Sequence, residues 1–283
     1  MTKVKIGFIG QGYVGKHNAD DFETRGHTVI RYAKEAPYHK NKEAIKDCDV
    51  IFIAVPAPTT PKGYDASIIH AVLPLTGIGK IVVLKSTIFP GLTEKIQNKF
   101  PDRIVLHSPE FLSEATASYD ASHPFVNIVG MAKETPKYRK AAKLIHSILP
   151  KAPQNFTVKS IEAEIIKYAH NCSGYTQIIF FNLMYDLSQK MGASWEIIEE
   201  AAKADPFIPN RYASPVHKSG RGAGGHCFIK DFSALREIYE KAVADKSGIA
   251  ILKSIEKKNI ELLRSSGKDV EILRGVYNIS KDK

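Results

Sequence analysis

The sequence predicts an α/β chain. An N-terminal doubly wound parallel sheet over residues 1–159 precedes an all-helical domain over residues 160–283, built on one long central helix. Three observations carry this. Short apolar runs alternate with helical patterns through the first half, as in parallel strands joined by crossover helices. A glycine turn, Gly10-Gln11-Gly12-Tyr13-Val14-Gly15, follows the first of those runs. From Ser160 the pattern becomes a single helical stretch that runs to Met191.

Taken in order, Lys3 to Ile9 alternates as a strand, the glycine turn follows, and a polar helical stretch leads to a second strand, Thr28 to Tyr32. A G-x-G-x-x-G between strand and helix is the Rossmann fingerprint for a dinucleotide. Its first glycine makes the tight turn, the second admits the pyrophosphate, and the third lets helix pack on strand. The pyrophosphate then rests on the helix N-terminus. The carboxylate that binds the adenosine ribose falls, by alignment on Gly26-His27, at Ala33, with Arg31 and Lys34 beside it and Glu35 slightly late. A carboxylate there repels a 2′-phosphate and basic residues tolerate one. NAD is the expected cofactor, with NADP left open.

Val50–Val55, Ile81–Leu84, Ile104–Leu106 and Val126–Val129 read as further strands. Ligands in such sheets sit outside the carboxyl ends of the strands. Thr59, Thr87, Glu110 and Glu114 all lie in loops just past those ends. Pro136–Leu149 reads as a helix with Thr135 as N-cap, and Phe156–Val158 as a short closing strand. Ser160 is the expected N-cap of the long helix, on which Glu164, Lys167 and Asn171 share one face. The rest of that helix is apolar. It is expected to be a homodimer seam, the other reading being the core helix of one subunit. Trp195–Lys203 is a short helix ended by Asp205-Pro206, and Arg211 lies in the loop that follows.

The stretch from Gly220 to Asp231 places Gly220, Gly222, Gly224 and Gly225 just ahead of Cys227, with Lys230 and Asp231 behind it. A helix is expected after Asp231, so Cys227 sits in a glycine turn at or before a helix N-terminus, where the dipole favours a thiolate. The bland reading is a buried structural thiol; the glycines and flanking charges favour a nucleophile. Residues 232–263 read as helical, and the tail from Gly267 as a docked strand or a free end.

Composition bounds the partners. No apolar run reaches the ~18 residues of a membrane span, and the start of the chain does not read as a signal peptide. Cys48, Cys172 and Cys227 are odd in number and far apart, which argues against a disulfide framework or zinc ribbon and for the cytoplasm. The net charge of +10 is spread among mixed-sign surface residues, so nucleic acid is not the expected partner. The same field suits a phosphate-bearing small substrate.

Together these features resemble the nucleotide-sugar 6-dehydrogenase family, of which UDP-glucose 6-dehydrogenase is the best-known activity. The resemblance rests on G-Q-G-Y-V-G at Gly10–Gly15, V-P-A-P-T at Val55–Thr59, K-S-T at Lys85–Thr87, P-E-F-L-S-E at Pro109–Glu114, Lys167 with Asn171, and G-G-H-C-F-I-K-D at Gly224–Asp231. It implies a four-electron oxidation of a sugar C6 alcohol to a carboxylate with two molecules of NAD. It assigns Cys227 as the nucleophile that carries a thiohemiacetal and then a thioester. Lys167 and Asn171 stabilise the C6 oxyanion, and Asp231 positions water and tunes the lysine. Glu110 is the base for thioester hydrolysis, and Thr87 holds water. Cofactor contacts fall at Gly10, Gly12, Tyr13, Val14, Gly15, Thr59, Thr87, Glu114 and Lys230. Substrate contacts fall at Phe111, Leu112, Lys167, Asn171, Gly224 and Arg211, the last reaching across a dimer interface. No metal is implied.

The resemblance is to a short form, since family members continue into a C-terminal nucleotide-binding domain and this sequence ends at Lys283. His226, Ile229 and Ala33 replace the family's usual small residue, proline and ribose acid, and an arginine usual near Val126 is absent. Two other readings stay open. A β-hydroxyacid-type dehydrogenase uses a similar lysine and asparagine, performs one oxidation and leaves Cys227 unexplained. A catalytically silent nucleotide-binding subunit shares the fold alone.

Overall fold

The computed structural model describes residues 4–279, and the chain divides into two compact units. One comprises the chain up to Ala57 with Asp65–Lys167; the other comprises Pro58–Tyr64 with the chain from Tyr168 onward.

The first unit is built on seven strands: β1 (Ile6–Ile9), β2 (Val29–Tyr32), β3 (Val50–Ile53), then β6 (Ile81–Leu84), β7 (Ile104–His107), β8 (Val126–Met131) and β9 (Gln154–Lys159), after a separate hairpin β4 (Thr59–Thr60) and β5 (Gly63–Tyr64). Their spatial order is β2-β1-β3-β6-β7-β8-β9. The chain leaves β1 to one side for β2 and returns to the other for β3. The crevice of the fold therefore opens at the carboxyl ends of β1 and β3, where the glycine turn begins. Helices α1 (Tyr13–Thr24), α2 (Ser67–Val72), α3 (Leu92–Lys99), α4 (Ala117–Ser122) and α5 (Pro136–Ile148) complete the unit. Strands and α1 bury a common core in which Phe8, Phe22 and Phe52 pack ring on ring, Phe8 and Phe52 stacked at 4.8 Å.

The sheet is parallel-dominated, with one departure from the expected all-parallel pattern. β7 pairs antiparallel with β8 through Leu106–Met131 and His107–Gly130. A parallel connection needs a crossover of about a dozen residues or more, usually a packed helix. Between β7 and β8 the only helix is the short α4, so the chain turns back and β9 then pairs parallel with β8. Lys3, where the sequence places the start of β1, lies outside the described residues. The Pro56–Thr60 loop proves to lead into the β4–β5 hairpin.

Helix α6 (Ser160–Met191) has the expected span. Ser160 is its first residue rather than its cap: the N-terminus is closed by Glu162, which reaches back to accept the Lys159 N–H at 2.7 Å. Helix α7 (Trp195–Ala204) and the hairpin β10 (Val216–His217) with β11 (Gly220–Arg221) follow. The segment read as one helix over 232–263 is two: α8 (Gly225–Ala242) and α9 (Lys246–Ser266). Asp245 breaks the run by accepting the Ser247 and Gly248 N–H groups, which starts a new helix. The tail forms helix α10 (Val270–Tyr277), not a strand, because its apolar residues recur at helical spacing and bury Leu273 and Val276 against Ile229 and Leu263. A second core gathers Tyr168, Cys172 and Tyr175 of α6 with Phe232 of α8 and Leu262 of α9, Tyr175 stacking on Phe232 at 4.0 Å.

Candidate active site

The glycine turn has the shape its sequence calls for. Gly10 sits at φ +92°, where a side chain is strained, and a Cβ there would lie 2.3 Å from the Ala54 carbonyl oxygen. A Cβ on Gly15 would lie 1.9 Å from the Gly10 carbonyl oxygen, so α1 packs this close only as glycine. Gly12 differs: nothing stands within 4 Å of where its Cβ would be. It is also the N-cap of α1 and supplies no side-chain cap. Open space before the first helical turn is what a pyrophosphate needs, so these residues fit a dinucleotide. Tyr13 and Val14 belong to that first turn.

The same unit carries a buried charged group past the strand ends. Lys85, 4% exposed, follows β6 and donates to the Glu110 carboxylate and, at 3.4 Å, to Ser108 Oγ. A buried ammonium is tolerated only when paired in this way. Behind it His107, the last residue of β7, is completely buried, and neither ring nitrogen has a hydrogen-bond partner among the described residues. Burial pushes its imidazole down to about 3, against an opposing pull from the Leu84 backbone and with the Lys85 and Lys167 ammonium groups adding to the fall. Lys167 is itself buried, with Nζ 5.2 Å from the centre of the Phe111 ring. Thr87, Phe111 and Leu112 are half-buried, and Glu114 is exposed. Glu164, one turn before Lys167, serves a different end. It accepts the Gly91 N–H at 2.5 Å, the Thr93 N–H at 3.0 Å and the Thr93 hydroxyl, so it caps α3.

In the second unit α8 begins at Gly225, seven residues earlier than the sequence suggests, and Cys227 stands in its first turn, exposed. The other two thiols, Cys48 and Cys172, are buried, and burial pushes Cys48 up to about 11. Asp231, one turn on from Cys227 and 1% exposed, joins two candidates. One carboxylate oxygen accepts from Asn171 Nδ2 at 2.5 Å and the other from Lys230 Nζ. Burial acts to lower the Lys230 ammonium's pKa. Asp231 chiefly, with Cys227 and Cys172, outweighs it and holds the group above its ordinary value. Thr59 donates to the Lys230 carbonyl at 3.1 Å. Arg211 is exposed in the turn before β10.

The glycine loop ahead of Cys227 is held by residues the sequence reading passed over. Asn259 of α9 accepts the Ala223 N–H at 2.7 Å and donates to the Ala223 carbonyl at 3.0 Å. Gly267, at φ +71°, ends α9 and turns the chain back, so that Lys268 Nζ donates to the Gly222 carbonyl at 2.9 Å. Asp269 then accepts the Gly225 N–H at 2.8 Å. Gly224 lies against this clamp, where a Cβ would stand 2.1 Å from Asp269 Oδ2. The only hint in the sequence is a glycine followed by charged residues after a helical run. Lys85 left a clearer one, as a lysine at the end of an apolar strand.

The turn, the strand order and the long helix define a dinucleotide-binding α/β protein of the dehydrogenase type. The chain belongs to the UDP-glucose/GDP-mannose dehydrogenase family: residues 33–149 match its NAD binding domain and residues 161–261 its central domain. It is 27% identical to a UDP-glucose 6-dehydrogenase of Rickettsia typhi, over 90% of this chain and 67% of that one. A UDP-glucose dehydrogenase structure from Pyrobaculum islandicum superposes with a TM-score of 0.80 at 25% identity, over 96% of this chain and 70% of that one. A 3-hydroxyisobutyrate dehydrogenase from Mycobacterium tuberculosis shares the fold, with a TM-score of 0.72 at 14% identity over 98% of this chain and 99% of that one. The chain spans about two thirds of the length of the curated relatives it matches. Among the described residues no helix is long and apolar enough to cross a membrane.

Proposed function

We propose that the chain oxidises the C6 alcohol of a nucleotide sugar, UDP-glucose foremost, to the uronate with NAD. The observation that carries this is the setting of Cys227: an exposed thiol in the first turn of α8, behind a clamped glycine loop, with the Lys230–Asp231–Asn171 chain in the same unit. A cysteine is superfluous for a single alcohol oxidation. It is needed when an aldehyde has to be held for a second one.

The turn from Gly10 to Gly15 holds the pyrophosphate, and Thr59, Glu114 and Lys230 contribute further cofactor contacts. Bound nicotinamide supplies a hydride acceptor for each of the two oxidations. Lys167 and Asn171 stabilise negative charge on the C6 oxygen as the alcohol loses its proton. The Cys227 thiolate adds to the aldehyde carbon, forming the C–S bond of a thiohemiacetal whose oxygen takes a proton. Loss of that proton and of a hydride leaves a thioester. Glu110 then removes a proton from water held by Thr87. Hydroxide adds to the thioester carbonyl, the C–S bond breaks, and the carboxylate departs while the thiolate is regenerated. Asp231 orients the Asn171 amide through its direct bond. Phe111, Leu112 and Gly224 bound the sugar.

The protein acts as a homodimer through α6. Ile165, Phe180, Leu183 and Leu187 stand exposed along one stripe of that helix, at 52, 54, 48 and 53%. Apolar stripes of this extent mark association surfaces. Arg211 contributes to the substrate site of the partner copy.

The test is stoichiometric. With UDP-glucose and NAD, each sugar oxidised is expected to reduce two cofactor molecules, and Cys227→Ser to abolish steady turnover. One reduced cofactor per sugar, or normal steady-state rates in the serine variant, would overturn the covalent route in favour of a single oxidation. A thiol reagent is expected to label Cys227 ahead of buried Cys48 and Cys172.

A further inference from the structure

Arg31 carries an inference about how the cofactor is chosen; it rests on the dinucleotide reading above. In dinucleotide folds an acid at the end of the second strand binds the adenosine ribose and repels a 2′-phosphate, whereas an arginine nearby accepts one. Here Ala33 provides no acid, and Arg31 in β2 has the sequence position of a phosphate receptor. Its surroundings in the structure are otherwise. The side chain is 9% exposed and its fork is fully engaged by α1. Nε and Nη2 grip the two carboxylate oxygens of Glu23 at 3.0 and 2.6 Å, and Nη1 meets Asp20 Oδ1 at 2.6 Å. Nη1 also lies 3.5 Å from Gln11 Oε1, so the cluster adjoins the glycine turn itself.

We propose that Asp20 and Glu23, reaching from α1, select NAD over NADP in place of the missing strand-end acid. The argument is one of charge and donors. Two carboxylates face one guanidinium, and a bidentate arginine–carboxylate pair is among the stronger polar contacts in proteins. A 2′-phosphate would have to pull Arg31 out of that pair while meeting the carboxylates it neutralises. Lys16 bonds Asp20 at 2.9 Å and offsets part of its charge, while Glu23, 47% exposed, has Arg31 as its ion-pair partner. Lys34, the other basic residue of the stretch, is a solvated point charge and a poorer receptor than a fork. The ribose itself carries no charge and makes no such demand.

The experiment measures binding of NADH and NADPH to the intact chain by nicotinamide fluorescence, with no turnover required. Wild type is expected to bind NADH at least about tenfold more tightly. The D20N/E23Q double variant is expected to gain about tenfold in NADPH affinity while NADH changes little. If a thermal melt shows the double variant unfolded, E23Q alone, which frees half the fork, carries the same test with a smaller shift of the same sign. Equal affinity of wild type for both nucleotides, or an unchanged ratio in the folded variants, overturns the assignment. Failure of wild type to bind either nucleotide overturns the dinucleotide reading as well.

Discussion

At the scale of single residues, burial and pairing decide what a titratable group does. His107 is the clearest case. The folded chain protonates its imidazole only near about 3, whereas an imidazole's ordinary value is 6.5. Between those values the unfolded state holds more protons, so stability falls as pH falls, by up to about 1.4 kcal/mol per pH unit. His107→Leu removes the titration and puts an apolar side chain in a fully buried position. Urea unfolding of this variant is expected to match wild type near pH 7 and to lose less stability toward pH 4. An unchanged acid slope would show that other groups carry it. The identity of His107 stands in the sequence, but it takes its buried place only when β7 lies between β6 and β8, strands distant along the chain.

At the scale of elements, the presentation of Cys227 is a loop held by another helix. The glycines let the backbone turn, and their freedom would leave the thiol poorly placed without Asn259, Lys268 and Asp269. Asn259 is 1% exposed and satisfies both backbone groups of fully buried Ala223. Asn259→Ala orphans a buried N–H and a buried C=O, a loss of about 2–4 kcal/mol. Calorimetry is expected to show the drop. Iodoacetamide is expected to modify Cys227 in this variant at an altered rate, since the loop leading into α8 is no longer tied to α9 at Ala223. Wild-type melting together with wild-type labelling would remove Asn259 from this role. The sequence made the glycine loop and the cysteine legible at once, since both are local signals. It misplaced the start of α8 because glycine has low helix propensity, and propensity yields here to capping by Asp269 from 44 residues away.

At the scale of the whole molecule, the exposed stripe of α6 makes association the matter to test. Replacing Leu183, half in solvent, with Glu leaves the cores of the subunit intact but puts charge into the stripe. Leu183→Glu is expected to shift sedimentation equilibrium from dimer to monomer with little change in secondary structure by circular dichroism. A wild-type monomer at micromolar concentration would rule out the seam. The parallel run of strands and the single long helix were both legible from periodicity. The reversal at β8 was not, because strand direction depends on where a connection packs, and the residues of that connection look alike in either direction.

What the sequence determined by itself was the set of elements governed by neighbours within a few positions: the glycine turn after β1, the apolar strands, the span of α6 and the cysteine among glycines. Short-range sterics and periodic burial are enough for these. Tertiary structure alone decided which charges cancel. Arg31 reads as a free cation in the chain and as a gripped one in the fold, because Asp20 and Glu23 reach it only once α1 has packed on β2. Lys85 finds Glu110 in the same way when β6 and β7 lie side by side. A side chain's availability depends on partners brought near by packing, and no local pattern encodes that distance.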